Sequence, residues 1–252
     1  MEYGICNVAI APLRADWAHR SEMISQVLFG ETFEILEYSE DWVRIMTTFD
    51  GYEGWISKIQ YVNLSTEDGL QLISAKATTT RAVVTNALKE NDNSTLLLPF
   101  GATLPFYNGA DCKIGDVNYK IPSVGDLNDF TETAYSFLNT PYLWGGRTHF
   151  GVDCSGYAQA VLRTQGITLK RDAHLQASQG SVVDFLQSAQ LGDLAFFDNP
   201  EGRITHVGIM LDNQSIIHAS GRVKIDRIDD QGIFAADQKK YTHKLRIIKR
   251  FL

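Results

Sequence analysis

The sequence has 252 residues, of which 44% are hydrophobic and 21% charged, values typical of a folded globular protein rather than a disordered chain. Its formal net charge of −7 argues against binding to nucleic acid or to an anionic polymer. No apolar stretch is long enough to span a bilayer, and the first residues lack the pattern of a secretory signal peptide. We therefore expect a cytoplasmic protein that does not bind membranes, with a periplasmic or secreted chain stripped of its leader as the alternative.

The first half of the chain has the pattern of small all-β barrels. Short apolar runs separated by turn residues predict strands near residues 27–29, 33–36, 42–46 and 55–59. A weak repeat, Phe-Gly-Glu-Thr at 29–32 and Phe-Gly-Ala-Thr at 100–103, suggests two similar barrels. We place them at residues 1–64 and 65–124. Polar linkers are predicted at Val62–Gln71 and Ile121–Asp126.

The pattern changes from residue 125 onwards, where we predict a third domain, 125–252. Helical spacing covers residues 129–138, and a second helix is predicted over 153–164, with Asp153 as a possible N-cap. Five strands are predicted after these helices, at 193–198, 206–211, 215–219, 223–228 and 245–252. Helices followed by an antiparallel meander indicate an α+β domain.

Cys154 lies in Asp-Cys-Ser-Gly at the start of the second helix, where unpaired N–H groups and the helix dipole favour a thiolate nucleophile. Such a nucleophile needs a base. His206 and His218 lie on successive strands joined by a short turn, so they are predicted to come nearly opposite each other, and to share a face if the strand register is even. One imidazole could then orient the other. The alternative is a buried structural cysteine with two unrelated histidines.

The remaining cysteines and histidines carry weaker signals. Cys6 and Cys112 are expected to be buried in barrel strands, and the three scattered cysteines exclude a disulfide framework and a zinc pattern. His149 and His174 are expected in loops, and His19 and His243 on the surface. Neither a metal nor another cofactor is predicted, since no phosphate loop or dinucleotide fingerprint is present.

Four segments in this order resemble the NlpC-type cell-wall peptidases: Asp-Cys-Ser-Gly at 153–156, Leu-Gly-Asp-Leu-Ala-Phe-Phe at 191–197, His-Val-Gly-Ile at 206–209 and Ile-His-Ala at 217–219. The resemblance implies a papain-like fold with Cys154 as nucleophile, His206 as base and His218 as third member. Pro-Tyr-Leu-Trp-Gly-Gly at 141–146 is similar to the family's stretch before the nucleophile, which implies an oxyanion role for Tyr142.

The order of domains resembles one subgroup, the γ-D-glutamyl-L-diamino acid endopeptidases similar to dipeptidyl-peptidase VI, in which two bacterial SH3-like barrels precede the catalytic domain. These enzymes act on freed murein peptides with an N-terminal L-alanine. The resemblance implies that the substrate amine is bound by Asp153, Ser155 and Asp172 together with Glu22 and Tyr52 of the first barrel. A solvated glutamate and a core-edge tyrosine are the alternatives for the last two.

We therefore expect a cysteine peptidase that recycles murein peptides and acts as a monomer on a tripeptide or similar small substrate. Three other functions fit parts of the pattern. They are a secreted hydrolase of intact peptidoglycan, a non-catalytic module that binds wall peptides, and an acyltransferase on the same scaffold.

Overall fold

A computed structural model describes residues 1–75, 77–127 and 129–252 of the chain. These residues form two compact units, the first ending at Leu127 and the second extending to Leu252. Within the described ranges, no helix is both long and apolar enough to cross a membrane.

The first unit is built from strands, as predicted. Its sheet of seven strands has the order β3-β2-β6-β5-β4-β1-β7, with antiparallel neighbours. Alternating side chains of these strands bury a core that includes Phe33, Val43 and Ile45. The elements of this unit are β1 (Glu2–Cys6), β2 (Ile10–Arg14), β3 (Met23–Leu28), β4 (Thr32–Tyr38), β5 (Trp42–Thr47), β6 (Glu53–Ser57), a 3-10 helix (Lys58–Gln60), β7 (Tyr61–Leu64), α1 (Thr66–Ser74), β8 (Thr78–Thr79), β9 (Val84–Lys89), β10 (Thr95–Pro99), β11 (Thr103–Leu104), β12 (Asp111–Ile114) and β13 (Val117–Lys120).

The linker predicted at Val62–Gln71 is wrong. Strand β7 pairs with β1, and α1 follows it directly. The Ser65 hydroxyl accepts a hydrogen bond from the Asp68 N–H at 3.0 Å, so the polar residues that suggested a linker form a helix cap. Gly69 lies so close to the ring of Tyr3 that a Cβ there would be 2.5 Å from Tyr3 Cδ2, and this contact holds α1 against β1. The segment predicted as the second linker, 121–126, has no helix or strand.

The two copies of the weak repeat form turns that pack against each other. Gly30 and Gly101 both have positive φ, 72° and 81°, which favours glycine. The Thr103 N–H donates to the Phe29 carbonyl at 2.8 Å, and a Cβ on Gly30 would lie 2.0 Å from the Thr103 carbonyl oxygen. A second sheet, β10-β9-β13-β12, and the pair β8–β11 complete the unit.

One core cluster joins the segments that were predicted as separate barrels. It contains Ile5 and Phe29 from the first segment and Leu98, Cys112 and Tyr119 from the second. Cys6 and Cys112 are buried free thiols in β1 and β12, as predicted. The boundary at residues 64 and 65 stays a prediction, since the contacts group both segments into one unit.

The second unit combines helices with a sheet that closes on itself. Strand β22 pairs with both β17 and β21, so the order β22-β17-β18-β19-β20-β21 forms a six-stranded barrel, and β16 pairs with β22 outside it. The elements are α2 (Phe130–Ser136), β14 (Arg147–Thr148), β15 (Gly151–Val152), α3 (Cys154–Arg163), α4 (Ala173–Gln176), β16 (Ser181–Val183), a 3-10 helix (Leu186–Ser188), β17 (Leu194–Asp198), β18 (Ile204–Met210), β19 (Ser215–Ser220), β20 (Arg222–Asp229), β21 (Gly232–Ala235) and β22 (Lys240–Arg250).

The predicted mixture of helices and antiparallel strands is confirmed in this unit, and both longer helices lie where the sequence placed them. Helix α3 packs against β18 and β19, so the Cys154 helix contacts the strands that carry His206 and His218. The sequence analysis missed β21, although this short strand allows the barrel to close.

Candidate active site

Cys154 is the first residue of α3, and the residue before it caps the helix as predicted. The Asp153 carboxylate accepts the Gly156 N–H at 2.7 Å. A Cβ on Gly156 would lie 2.2 Å from the Gly146 carbonyl oxygen, so the first turn of the helix rests directly on the preceding loop. This close contact fixes the position of the Cys154 thiol, which is buried.

Asp153 is the centre of a buried ion pair. Its carboxylate accepts two hydrogen bonds from the Arg171 guanidinium, at 3.0 and 2.5 Å, and one from the Gly145 N–H at 2.9 Å. Arg171 also donates to the Ser155 hydroxyl at 2.9 Å. Asp153 is 4% exposed and Arg171 is 2% exposed. Asp153 and Ser155 thus bind Arg171 and hold the start of α3, and their predicted contact with the substrate amine stays a prediction.

Asp172 follows the buried arginine and precedes α4. It is half-buried, and its backbone carbonyl accepts the Leu175 and Gln176 N–H groups while its side chain does not cap the helix. The remaining predicted substrate residues belong to the first unit. Glu22 is exposed just before β3, and Tyr52 is half-buried between β5 and β6, against the first-unit core. Their role stays a prediction.

The two predicted histidines lie on one face of neighbouring strands. His206 Nε2 is 2.9 Å from His218 Nδ1, which confirms the predicted proximity. The register agrees with the prediction, because Ile209 pairs with Ile217, and continuing that register puts Gly208 opposite His218 with His206 diagonal to it on the same face. A Cβ on Gly208 would lie 2.9 Å from His218 Cβ, so glycine at this position allows the two rings to meet.

Two further residues at the site escaped the sequence analysis. The buried Asp226 on β20 has its Oδ2 3.1 Å from His218 Nε2. His243 was predicted on the surface, but it is half-buried and stacks on His206, with ring centroids 4.1 Å apart and planes tilted by 26°. The alternation of β20 offered a signal for Asp226, since it shares a strand face with Ile228 and alternates with the exposed Ile225 and Arg227. No signal pointed to His243, because the pairing of β22 with β21 was unknown.

Among the residues that the structure describes, His206, His218 and His243 form the cluster whose geometry is closest to that of a metal site. One ring nitrogen from each of His206, His218 and His243 lies within 4.8 Å of the others. However, both nitrogens of His218 already face hydrogen-bond partners, and His206 Nε2 is one of them. A metal at this position would have to replace those hydrogen bonds.

Tyr142 lies beside the nucleophile. Its backbone N–H donates to the Gly221 carbonyl at 2.9 Å, and it bridges to Val152, two residues before Cys154. Burial, followed by the nearby Cys154 and Asp153, raises the pKa of the Tyr142 phenol. The phenol therefore keeps its proton at neutral pH and can donate a hydrogen bond.

The electrostatics of the resting site differ from the expected thiolate. Burial and the Asp153 carboxylate raise the pKa of the Cys154 thiol to about 12, although the Val207 backbone and Arg171 act in the opposite direction. Burial, then the neighbouring His218 and His243, lower the pKa of His206 well below its usual value. The resting pair is thus a neutral thiol and a neutral imidazole, and the helix start does not overcome burial.

A buried thiol at a helix start, on a helix packed against two strands that carry a hydrogen-bonded histidine pair, is the arrangement of a cysteine-type hydrolase. The comparisons with known proteins agree with this class. Residues 139–245 match the NlpC/P60 family, and residues 13–59 match the bacterial dipeptidyl-peptidase SH3 domain. The chain belongs to the NlpC/P60 family of cysteine peptidases.

Similar proteins cover most of the chain. A γ-D-glutamyl-L-lysine dipeptidyl-peptidase of Bacillus subtilis is 31% identical, with 77% of this chain and 71% of that protein covered. Dipeptidyl-peptidase 6 of Lysinibacillus sphaericus is 25% identical, covering 88% and 90%. The crystal structure of an NlpC/P60 family protein from Bacillus cereus superposes with a TM-score of 0.81 at 19% identity, covering 99% of each chain, and so shares the fold.

Proposed function

We propose that the protein is a cysteine peptidase that hydrolyses the γ-D-glutamyl–L-diamino acid bond of murein peptides with a free N-terminal L-alanine. The observation that carries the proposal is the pairing of His206 with His218 on strands packed against the Cys154 helix. The names of the relatives, γ-D-glutamyl-L-lysine dipeptidyl-peptidase and dipeptidyl-peptidase 6, support this bond as the substrate. We also propose that the catalytic domain has a papain-like fold and that two barrels precede it.

The proposed reaction begins from the neutral pair. As the Cys154 sulfur bonds to the γ-carbonyl carbon, its proton moves to His206, so that no isolated charge is created in the buried site. The imidazolium then protonates the departing amine, the C–N bond breaks, and a thioester remains. His206 next takes a proton from water, whose oxygen attacks the thioester and releases the acid and the thiol. The Tyr142 phenol and the Cys154 N–H are the proposed oxyanion donors, each worth about 10²–10³ in rate.

The proposed specificity rests on recognition of an ammonium group by carboxylates, since charge-assisted hydrogen bonds position a charged ligand firmly. We propose Asp172 and Glu22 as the carboxylates for this role, together with Tyr52, while the Asp153 carboxylate also binds Arg171. A requirement for a free N-terminus would exclude intact wall and suits a monomeric cytoplasmic enzyme that recycles freed peptides.

The test uses L-Ala-γ-D-Glu-L-Lys, L-Ala-γ-D-Glu-meso-diaminopimelate and their N-acetylated forms, with products followed by mass spectrometry and Cys154→Ala as the control. Cleavage of the free-amine peptides alone supports the proposal, and the faster of the two identifies the diamino acid. Cleavage of the acetylated peptides as well would point to a hydrolase of intact wall. Binding without cleavage would point to a wall-peptide-binding module, and transfer to an added amine would point to an acyltransferase.

The predicted amine site has its own test. Asp172→Asn and Glu22→Gln are expected to raise KM for the free-amine peptides with little change in kcat. Glu40→Gln removes the same charge from an exposed glutamate of the first unit and serves as the matched control. If KM for the free-amine peptides changes no more in the two test variants than in the control, these residues do not bind the amine.

A further inference from the structure

Asp226 gives His218 a partner on the side away from His206. Its Oδ2 lies 3.1 Å from His218 Nε2, and both side chains are buried. Burial alone would raise the pKa of Asp226, but the hydrogen bonds from His218 and the Ala236 N–H, together with Lys224, lower it to about 2. Asp226 is therefore a carboxylate at neutral pH and can only accept hydrogen bonds.

The contacts fix where the protons of both imidazoles lie. Since the carboxylate cannot donate, the hydrogen bond to Asp226 requires a proton on His218 Nε2. A neutral His218 then has an unprotonated Nδ1, which must accept the hydrogen bond from His206 Nε2 at 2.9 Å. His206 thus carries its proton on Nε2, and its Nδ1 is left as the basic nitrogen.

We propose that Asp226 is a positioning residue of the active site, which sets the tautomer of His218 and through it the tautomer of His206. This inference rests on the proposed function for its chemical consequence. With Nδ1 unprotonated, His206 can take the Cys154 proton while its Nε2–H remains donated to His218. In the opposite tautomer, Nδ1 would already hold a proton and could not act as the base.

Asp226 is itself held in place. The Lys224 ammonium lies 3.1 Å from Asp226 Oδ2 and 3.0 Å from each carboxylate oxygen of Asp237, and the Ala236 N–H donates to Asp226 Oδ1 at 3.2 Å. These donors come from β20 itself and from the residues that follow β21. The titratable groups around the Asp226–His218 pair are His206 on β18, Lys224 on β20, Asp237 after β21 and His243 on β22.

The first test needs neither substrate nor mutation. Long-range ¹H–¹⁵N correlation spectra of the ¹⁵N-histidine-labelled protein distinguish the two neutral tautomers from the doubly protonated ring. We expect the Nε2–H tautomer for both His206 and His218 at neutral pH. An Nδ1–H tautomer on His206, or a doubly protonated His218, would overturn the inference even if the proposed peptide is cleaved. Conversely, the expected spectrum combined with inactivity on murein peptides would overturn only the proposed function.

The second test is Asp226→Asn. The amide nitrogen of asparagine can donate to His218 Nε2, which favours the opposite tautomer in both rings. On the proposed substrate we expect kcat to fall by about 10²–10⁴-fold, as for other residues that orient a catalytic histidine, with KM little changed. The histidine spectrum of the variant should show the Nδ1–H form, and Asp226→Glu should restore the wild-type pattern in part.

Asp230→Asn makes the same change of charge at an exposed residue just after β20 and should leave kcat unchanged. Circular dichroism establishes whether Asp226→Asn folds. A folded variant with unchanged kcat and unchanged tautomers would overturn the inference, and if the variant does not fold, the wild-type spectrum decides.

Discussion

Replacing Arg171 by methionine should destabilise the second unit strongly and in a way that a second substitution relieves. The variant leaves the Asp153 carboxylate buried with the Gly145 and Gly156 N–H groups but without its cation. Breaking a buried pair from one side typically costs 3–5 kcal/mol, so we expect about 3–5 kcal/mol of lost unfolding free energy. Adding Asp153→Asn should return about 1–3 kcal/mol, because asparagine caps a helix as well as aspartate and carries no charge.

The assay is urea unfolding of protein labelled with 5-fluorotryptophan. Each of the four tryptophans gives one ¹⁹F signal, and Trp144 reports on the second unit while the other three report on the first. Arg203→Met is the matched control, since this arginine is exposed and such changes usually stay within about 0.5 kcal/mol. A double variant no more stable than Arg171→Met alone would refute the argument that an unpaired buried charge causes the loss.

Two further predictions concern the same unit. Burial lowers the pKa of His149 to about 4. As the pH falls below about 6.5, the unfolded chain therefore binds a proton that the folded chain does not. The free energy of unfolding should decrease by about 1 kcal/mol per pH unit down to about pH 4. His149→Phe, which keeps the stacking on Phe137, should reduce the slope of urea midpoint against pH, and an unchanged slope would contradict the assignment. Gly156→Ala should lower kcat at least tenfold while the unit stays folded. The alanine methyl group forces the Cys154 helix away from Gly146, and small displacements of reacting groups cost up to about 10²-fold in rate. A variant with wild-type kcat would show that the loop at Gly146 moves and the helix does not.

The sequence predicted the parts of the site that depend on local patterns. The sequence placed Asp153 and Cys154 at a helix start because an N-cap is recognised from the residues next to it in the chain. It placed His206 and His218 together because one short turn joins their strands. The observed pairing of Ile209 with Ile217 is the even register that this argument required, so both histidines lie on one face of the sheet.

The missed residues depend on contacts between distant parts of the chain. His243 reaches His206 only because β22 pairs with β17 and β21, which the pattern of a single strand cannot reveal. Burial was the other unpredictable quantity. The helix start at Cys154 favours a thiolate, but the depth at which the thiol is packed and the charge of Asp153 determine its protonation.

The nucleophile and the histidine pair are each anchored by a separate buried ion network. Asp153 with Arg171 fixes the start of the Cys154 helix, and Asp226 with Lys224 fixes His218. Buried ion pairs contribute little net stability, because desolvation offsets most of the attraction, and apolar residues could often fill the same space at no cost. We therefore attribute these two networks to the positioning of the active-site groups and not to the stability of the fold. They restrict the orientation of the thiol and the imidazole, which must exchange a proton. On this argument, removing either network while preserving the fold should lower kcat far more than it raises KM.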